Sequence, residues 1–191
     1  MPDYQPVDLT KCYRLLNHGP TVLVSSAHGG RHNVMAAAWS MPLDFNPPKV
    51  AVVIDKATLS RQLIEASGEF VLNVPLQPQA AAVLQVGSDS GLQVADKFAA
   101  SGLVAMSGHA VAAPHVAGCA GWLECKLLRE PHNQQQYDLF IGEVVSAWAD
   151  PELFANGHWQ PILDDAKRTL HYIAGGHFFA IGDAFDVSVP D

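Results

Sequence analysis

The sequence predicts a mainly β fold with helices, in which antiparallel strands form a Greek-key-type barrel and the helices lie at its periphery. Short apolar runs rich in β-branched residues, such as Thr21 to Ala27 and Val50 to Ile54, recur between turn-forming residues. Two longer apolar runs, Gly121 to Arg129 and Tyr137 to Trp148, follow in the second half. The chain has 191 residues, a length typical of one domain. We therefore expect residues 1–191 to form a single domain.

The predicted strands follow from these runs and from the turns between them. The first run reaches the segment 28–32, His-Gly-Gly-Arg-His, and resumes at Asn33, which predicts a hairpin with a glycine-bearing turn. Pro47 and Pro48 exclude regular structure just before the strand at 50–54. The remaining predicted strands lie at residues 70–74, 121–129, 137–148 and 177–181, and residues 130–136 connect the two long ones as a hairpin.

Three helices are predicted among the strands. The first covers residues 58–67, where apolar residues recur at helical spacing, Thr58 is a natural N-cap and Gly68 supplies the stop. Two further helices are predicted at residues 79–86 and 94–100, each followed by a glycine that would end it, Gly87 and Gly102.

The start of the first helix carries an unusual charge pattern. A helix N-terminus has partial positive charge, so carboxylates are favoured there and cations are disfavoured. In this chain Lys56 and Arg61 flank the cap at Thr58. A bound phosphate would reconcile the two cations, the hydroxyls and the helix dipole in one site. An ordinary capped helix with solvated cations is the alternative, and the residues alone leave both interpretations open.

Composition excludes several functional classes. The formal net charge is −8, whereas a nucleic-acid partner requires a concentrated basic face, so we expect no nucleic-acid partner. No apolar run approaches the roughly 18 residues of a membrane span, and the start Met1 to Pro6 is polar, so we expect no membrane association and a cytoplasmic location. Neither a G-x-G-x-x-G nor a P-loop pattern is present, so any nicotinamide would bind without a Rossmann fold.

The cysteines and histidines form no recognised metal pattern. Cys119 and Cys125 would lie about 20 Å apart on one extended strand, so we expect them, like the isolated Cys12, to be buried thiols. His28 and His32 bracket a glycine turn and therefore do not share a helix face. His109, His115 and Cys119 have no recognised ligand spacing either, and we predict no metal site.

Several segments, in this order and spacing, resemble the flavin reductase-like family of FMN-binding split β-barrels. They are Asn33-Val34-Met35, Trp39 with Pro42, Phe45-Asn46-Pro47-Pro48, Ser67 to Pro75, Asp96-Lys97-Phe98, Leu123-Glu124-Cys125, Phe140 to Val144 and Gly175 to Phe179. The resemblance covers most of the chain. It implies a split barrel, tightly held FMN, NAD(P)H as a transient cosubstrate, and a homodimer with the flavin near the subunit interface.

The resemblance also implies candidate cofactor contacts. Residues 36–40 would frame the isoalloxazine ring through backbone groups and small side chains; they are Ala36, Ala37, Ala38, Trp39 and Ser40. The candidates for the phosphate and ribityl chain are Lys56, Thr58, Arg61 and Lys97, with Asn73 as a weaker one, for which a hydrogen bond to the backbone is the alternative. His177, with His171 and Tyr172, is a candidate for the substrate face, and aromatic packing of a terminal strand is the alternative.

This chain departs from the family pattern in two places. Many members carry Ser or Thr where this chain has Ala36 and Ala38, so fewer side-chain hydrogen bonds to the flavin are expected. Many also carry an acidic residue and a histidine where this chain has Gln136 and Tyr137. His132 and Tyr137 are then the substitute candidates near the nicotinamide.

Three functions follow from the resemblance. The first is an FMN-dependent NAD(P)H oxidoreductase that passes electrons to free flavin, ferric complexes or another small acceptor. The second is a flavoredoxin-like carrier that exchanges electrons with protein partners. The third is a split-barrel binding protein without a redox role, with FMN held weakly or another ligand such as haem in its place.

Overall fold

The structure is a computed structural model that describes residues 4–188, and it consists mainly of strands with a few helices, as the sequence predicts. The strands are β1 (Gln5–Pro6), β2 (Val22–His28), β3 (Arg31–Ala37), β4 (Ser40–Phe45), β5 (Pro48–Val53), β6 (Glu69–Val74), β7 (Ala105–Met106), β8 (His115–Val116), β9 (Gly121–Leu128), β10 (Leu139–Ala149), β11 (Phe154–Ala155), β12 (His158–Trp159), β13 (Leu170–Ala174) and β14 (His177–Ala180). The α-helices are α1 (Leu59–Ser67), α2 (Ala80–Ser88), α3 (Lys97–Ser101) and α4 (Pro131–Tyr137), and short 3-10 helices lie at Leu9–Leu15, Gln77–Gln79 and Asp165–Lys167.

Eight strands form one large antiparallel sheet in the order β3-β2-β6-β9-β10-β5-β4, with β1 paired to β10. Alternate residues of β6 enter two hydrophobic clusters, with Phe70 and Leu72 in one and Val71 in the other. Because both faces of the sheet are covered by hydrophobic clusters, the strand sequences are continuously apolar and do not alternate between apolar and polar residues. Cys12, Cys119 and Cys125 are buried in these clusters, in agreement with the expectation for the thiols.

The predicted first hairpin is β2 and β3. Gly29 and Gly30 have φ values of 58° and 78°, which match a two-residue type I′ turn. His28 pairs with Arg31 across this turn, and the register continues to Val22 opposite Ala37. Pairing alternates along an antiparallel ladder, so the backbone N–H and C=O of Ala36 point away from β2, toward the free edge of the sheet.

The first helix matches its prediction. Thr58 is the N-cap of α1, and Gly68 follows the helix in the left-handed conformation with φ 73°. For α2 the predicted end at Gly87 is wrong, because the helix continues to Ser88. A Cβ at Gly87 would lie 3.3 Å from the Ala36 Cβ, so this glycine permits close packing of α2 on β3 and does not end the helix.

The connection between the two long strands differs from the predicted turn. Residues 131–137 form α4, which begins with Pro131 and ends at Asp138, a left-handed residue with φ 54°. The predicted strand start at Tyr137 is therefore wrong, and β10 begins at Leu139.

The structure also contains β4 and β13, for which no strand was predicted, and β5 begins at Pro48 itself. Pro48 is compatible with a strand because it is the first residue.

A buried carboxylate holds the loop that precedes β8. Glu124, on β9, is fully buried and accepts hydrogen bonds from the backbone N–H groups of His109 (3.0 Å), Ala110 and Val111 (3.0 Å). His115 Nε2 lies 2.8 Å from Glu124 Oε1. These hydrogen bonds favour the charged form and outweigh the opposing effect of burial, so the pKa of Glu124 is lowered to about 2.

Candidate functional site

A cavity of about 630 Å³ lies at the end of β3, a size within the range of roughly 300–1,000 Å³ that is typical of cofactor sites. It is lined by residues of β3, β5, α2, α4 and the β13–β14 hairpin. They are Thr21, Met35, Ala36, Ala37, Ala38, Trp39, Val53, Asp55, Val83, Leu84, Gly87, Ser88, Tyr137, Asp138, Tyr172, Ile173 and Phe178.

The floor of the cavity consists of small residues. Ala36, Ala37 and Ala38 lie on it, and Gly87 of α2 faces Ala36. Because alanine and glycine lack long side chains, this part of the lining leaves room for a flat ligand. Ser40, the last residue of the predicted ring site, does not line the cavity; its Oγ is buried and has no hydrogen-bond partner among the described residues.

Aromatic side chains surround the opening. Trp39 and Tyr137 are 76% and 63% exposed, although both line the cavity. Tyr172 and Phe178 meet edge to face with ring centroids 5.2 Å apart. Their hairpin is anchored at Thr21, whose N–H donates to Leu170 O and whose Oγ1 accepts from Tyr172 N, both at 2.7 Å.

The segment before α1 is held by local hydrogen bonds. The Asp55 Oδ1 accepts from the N–H of Ala57 at 2.7 Å, and the Thr58 hydroxyl donates to Asp55 O at 2.8 Å. The Thr58 Oγ1 also accepts from Arg61 N at 3.2 Å, which satisfies one amide of the first helical turn. Lys56 is exposed at the centre of this fixed segment, directly after the cavity residue Asp55.

Arg61 requires a correction of its predicted role. Its side chain is buried, with Nε 2.9 Å from Glu65 Oε1, Nη2 2.8 Å from Gln134 O, and Nη1 bonded to the Asp138 carboxylate. The guanidinium also lies over the Phe140 ring, 5.3 Å from its centroid. These protein partners occupy the guanidinium, so we do not retain Arg61 as a phosphate ligand.

Lys97 and Asn73 require the same correction. The Lys97 ammonium is buried and donates to Val86 O (2.6 Å) and Asp89 O (2.8 Å) at the end of α2, and burial lowers its pKa. Asn73 is fully buried: its Nδ2 donates to Leu23 O at 2.8 Å, and its Oδ1 accepts from Val116 N at 2.7 Å. Both side chains satisfy backbone groups and neither lines the cavity.

The histidines predicted near the substrate face do not line the cavity. His177 is exposed at the start of β14, and His171 lies beside His18, with ring centroids 5.7 Å apart. Their neighbours Tyr172 and Phe178 line it in their place. His132 meets Tyr137 edge to face at 5.7 Å, and only the tyrosine reaches the cavity.

Eleven cavity residues were not site candidates in the sequence, and Gly87, Ser88, Asp55 and Asp138 are four of them. Gly87 and Ser88 belong to a helix that was predicted to stop before them, while Asp55 and Asp138 end a strand and a helix that face each other. The hydrogen bond from Ile54 N to Asp138 O, 2.8 Å long, joins those two ends. No local pattern indicates this long-range contact.

Residues 14–182 match the family model for the flavin reductase like domain. The chain belongs to the flavin reductase-like family. The uncharacterized protein YddH of Escherichia coli (strain K12) is 44% identical over 185 residues, which are 95% of this chain and 97% of YddH.

Two solved structures place the fold within this flavin reductase-like family. An FMN-binding domain of a flavin reductases-like enzyme from Shewanella baltica OS155 is 51% identical, with a TM-score of 0.94 and 98% of each chain covered. Flavoredoxin of Desulfovibrio vulgaris (Miyazaki F) is 27% identical, with a TM-score of 0.76, and the match covers 89% of this chain and 90% of the flavoredoxin. The resemblance inferred from the sequence segments and the predicted fold class are both confirmed. Within residues 4–188, no helix is long and apolar enough to cross a membrane.

Proposed function

We propose that the protein is an FMN-dependent oxidoreductase that takes a hydride from NAD(P)H and passes the two electrons to a small acceptor, such as one molecule of free flavin or two ferric complexes. When bound, FMN would supply the redox chemistry, namely the uptake of an electron pair from NAD(P)H and its release to the acceptor. The protein has to hold and orient the cofactor and leave one face open to its substrates. The proposed compartment is the cytoplasm, where NAD(P)H is available.

The ring end of FMN fits the floor of the cavity. The alanines at 36–38 and Gly87 leave room for a planar ring system, and the Ala36 backbone offers a donor and an acceptor at the sheet edge. This small-residue floor is the observation that carries the proposal. The FMN named for the Shewanella baltica domain supports the same assignment.

The phosphate end is assigned to the N-terminus of α1. The first amides of a helix lack intrahelical partners and favour an anion. Thr58 satisfies the N–H of Arg61, which leaves the earlier amides of the turn and the exposed Lys56 ammonium for the phosphate oxygens. Lys56 and Thr58 therefore remain in the proposal.

The visible spectrum of the purified protein tests cofactor binding, and stopped-flow reduction tests the reaction. We expect a flavin absorbance band that is bleached faster by NADH or NADPH than free FMN is. Comparison of the two nucleotides also identifies the donor. Bound flavin that is reduced no faster than free FMN would refute the reductase assignment.

A flavoredoxin-like electron carrier is the second candidate, favoured by the similarity to the Desulfovibrio vulgaris flavoredoxin. A carrier would bind FMN and exchange electrons with a protein partner, but NAD(P)H would not reduce it rapidly. The spectrum and the stopped-flow trace distinguish the two functions. A colourless protein that does not respond to FMN titration would instead favour a binding protein without a redox role.

We further propose that two copies of the chain associate through β4. This strand is an edge of the large sheet, and Met41, Leu43 and Phe45 on it are 52%, 45% and 64% exposed. The exposed Trp39 extends the same apolar surface to the cavity. An edge strand with exposed apolar side chains is a favourable surface for pairing with a second copy. Light scattering should give a dimer mass for the wild type and a monomer mass for Phe45→Asp.

A further inference from the structure

The β13–β14 hairpin is a separate part of the cavity wall. Its two strands form a sheet of their own and pair with no strand of the large sheet within residues 4–188. In the described part of the chain, two hydrogen bonds join these strands to other elements, and both end on Thr21, the residue before β2. The hydrogen-bonded attachment of the hairpin is thus confined to one residue at its base.

One face of the hairpin is turned toward the cavity. Tyr172 and Phe178 lie opposite each other on the two strands, and both line the cavity. The next pair, His171 and Phe179, lies on the other face because side chains alternate along a strand. Neither of them lines the cavity, and Phe179 is 67% exposed. The hairpin therefore lies between the cavity and solvent.

The tip of the hairpin approaches α2. Gly175 and Gly176 form the turn, with φ values of 58° and 84°. A Cβ added at Gly176 would lie 3.4 Å from the Leu84 Cδ2, and Leu84 lines the cavity. Within residues 4–188 no hydrogen bond joins this tip to α2. The hairpin thus extends from a hydrogen-bonded base at Thr21 to a tip that rests near α2 without such a bond.

The Thr21 hydroxyl takes the place of a backbone acceptor in this attachment. The N–H of Thr21 donates to Leu170 O as in a regular ladder, but the N–H of Tyr172 donates to the Thr21 Oγ1, at 2.7 Å. Valine has nearly the shape of threonine and lacks this oxygen, so Thr21→Val would leave the Tyr172 N–H without its acceptor. Serine keeps the oxygen. The position of Tyr172 at the cavity therefore depends on the hydroxyl of residue 21.

We infer that the β13–β14 hairpin is a flap that retains FMN in the cavity, and that Thr21 is the positioning residue that keeps the flap in place. This inference rests on the proposed function, since it concerns the residence of the same cofactor. Tyr172 and Phe178 are paired across the two strands, so displacement of the hairpin moves both away from the cavity together. Movements of such lids control how fast a bound molecule leaves its site.

The rate of FMN release measures how firmly the flap is held. It is followed by the change in flavin fluorescence after rapid dilution of the FMN-loaded protein. Thr21→Val should release FMN about fivefold faster than the wild type, the factor that corresponds to about 1 kcal/mol, the net value of one hydrogen bond. Thr21→Ser should release FMN at the wild-type rate. Thr10→Val makes the same chemical change at an exposed residue outside the cavity lining and should also match the wild type.

Hydrogen–deuterium exchange tests the flap in the wild type, without any substitution. The amides of β13 and β14 should exchange more slowly in the FMN-loaded protein than in the FMN-free protein. The amides of β7 and β8, a two-stranded sheet outside the cavity lining, should exchange equally in both forms. In Thr21→Val exchange should become faster in β13 and β14 and stay unchanged in β7 and β8, which distinguishes a loosened flap from a general loss of stability.

The outcomes separate this inference from the proposed function. An unchanged release rate in Thr21→Val, equal acceleration in Thr21→Val and Thr21→Ser, or hairpin amides whose exchange does not respond to FMN would overturn the inference while FMN binding stands. Bound flavin that NAD(P)H does not reduce would refute the reductase assignment, and the release rates would still decide on the flap. A protein that retains no FMN would overturn both.

Discussion

Replacing Glu124 by glutamine should destabilise the fold at neutral pH. The substitution keeps the size of the side chain but replaces one carboxylate oxygen by an amide that donates hydrogen bonds. If the amide occupies the Oε2 position, the N–H groups of Ala110 and Val111 lose their acceptor and face a donor. A buried N–H left without a partner costs about 1–3 kcal/mol; the Val111 N–H is buried and the Ala110 N–H only partly so, and we therefore expect a loss of about 2–4 kcal/mol in the free energy of unfolding.

The loss should depend on pH in a defined direction. Folding lowers the pKa of Glu124 from 4.5 to about 2, so its carboxylate stabilises the fold above pH 4.5 and this contribution is lost as the pH falls through the interval to 2. The full contribution is about 3 kcal/mol, and about 2 kcal/mol of it should be lost at pH 3. The gap between wild type and Glu124→Gln should therefore shrink by about that amount.

Urea denaturation at pH 7 and at pH 3, followed by tryptophan fluorescence, measures this gap. Trp122 is a suitable reporter because its ring stacks on His115, with centroids 5.4 Å apart, next to Glu124. Glu130→Gln serves as the control for loss of an exposed carboxylate and should match the wild type at both pH values. A Glu124→Gln protein with the wild-type midpoint at pH 7, or a gap that is the same at both pH values, would refute this role.

Three other substitutions test the revised site. Lys56→Ala should weaken FMN binding by about 1.5–3 kcal/mol, the value of one charged hydrogen bond. The control Lys126→Ala changes an exposed lysine outside the cavity and should leave the FMN Kd unchanged. Arg61→Met should lower the free energy of unfolding by about 1.5–3 kcal/mol, because it leaves the Asp138 carboxylate and Gln134 O without their donor; an unchanged urea midpoint contradicts this. Lys97→Met should lower the melting temperature, since two carbonyls at the end of α2 lose a charged donor, and a wild-type melting curve would count against that structural role.

Local chemistry predicted α1 and the first hairpin closely. Thr58 and Gly68 are cap residues, and a pair of glycines fits a type I′ turn, so the signals lie within a few residues of the structure they specify. For α1 and the hairpin, sequence neighbours determine the conformation. The residues at 36–38 line the cavity, but they were proposed as flavin contacts because of the family resemblance and not because of local chemistry.

The features of the fold and the site that the sequence did not predict depend on contacts between segments that are distant in the chain. Arg61 was identified as an unusual cation at a helix start, but its partner Asp138 is 77 positions away in the chain and lies beyond a helix that was not predicted. The polar sequence of α4 lacks an apolar stripe, so periodicity gave no helix there. Gly87 was interpreted as the end of the helix because its packing partner, Ala36, lies in β3, far from it in the sequence.

The buried guanidinium of Arg61 has one further consequence for how the cavity keeps its dimensions. The Arg61 side chain extends from α1, the helix whose first turn is assigned to the phosphate, and its guanidinium pairs with the Asp138 carboxylate. Asp138 follows Tyr137, one of the aromatic residues that line the cavity. The distance between the two ends of the cavity is thus maintained by a side chain that is not part of its lining. Substitutions confined to the residues that line the pocket would leave the Arg61–Asp138 ion pair in place. The distance between the two ends of the pocket would therefore stay the same.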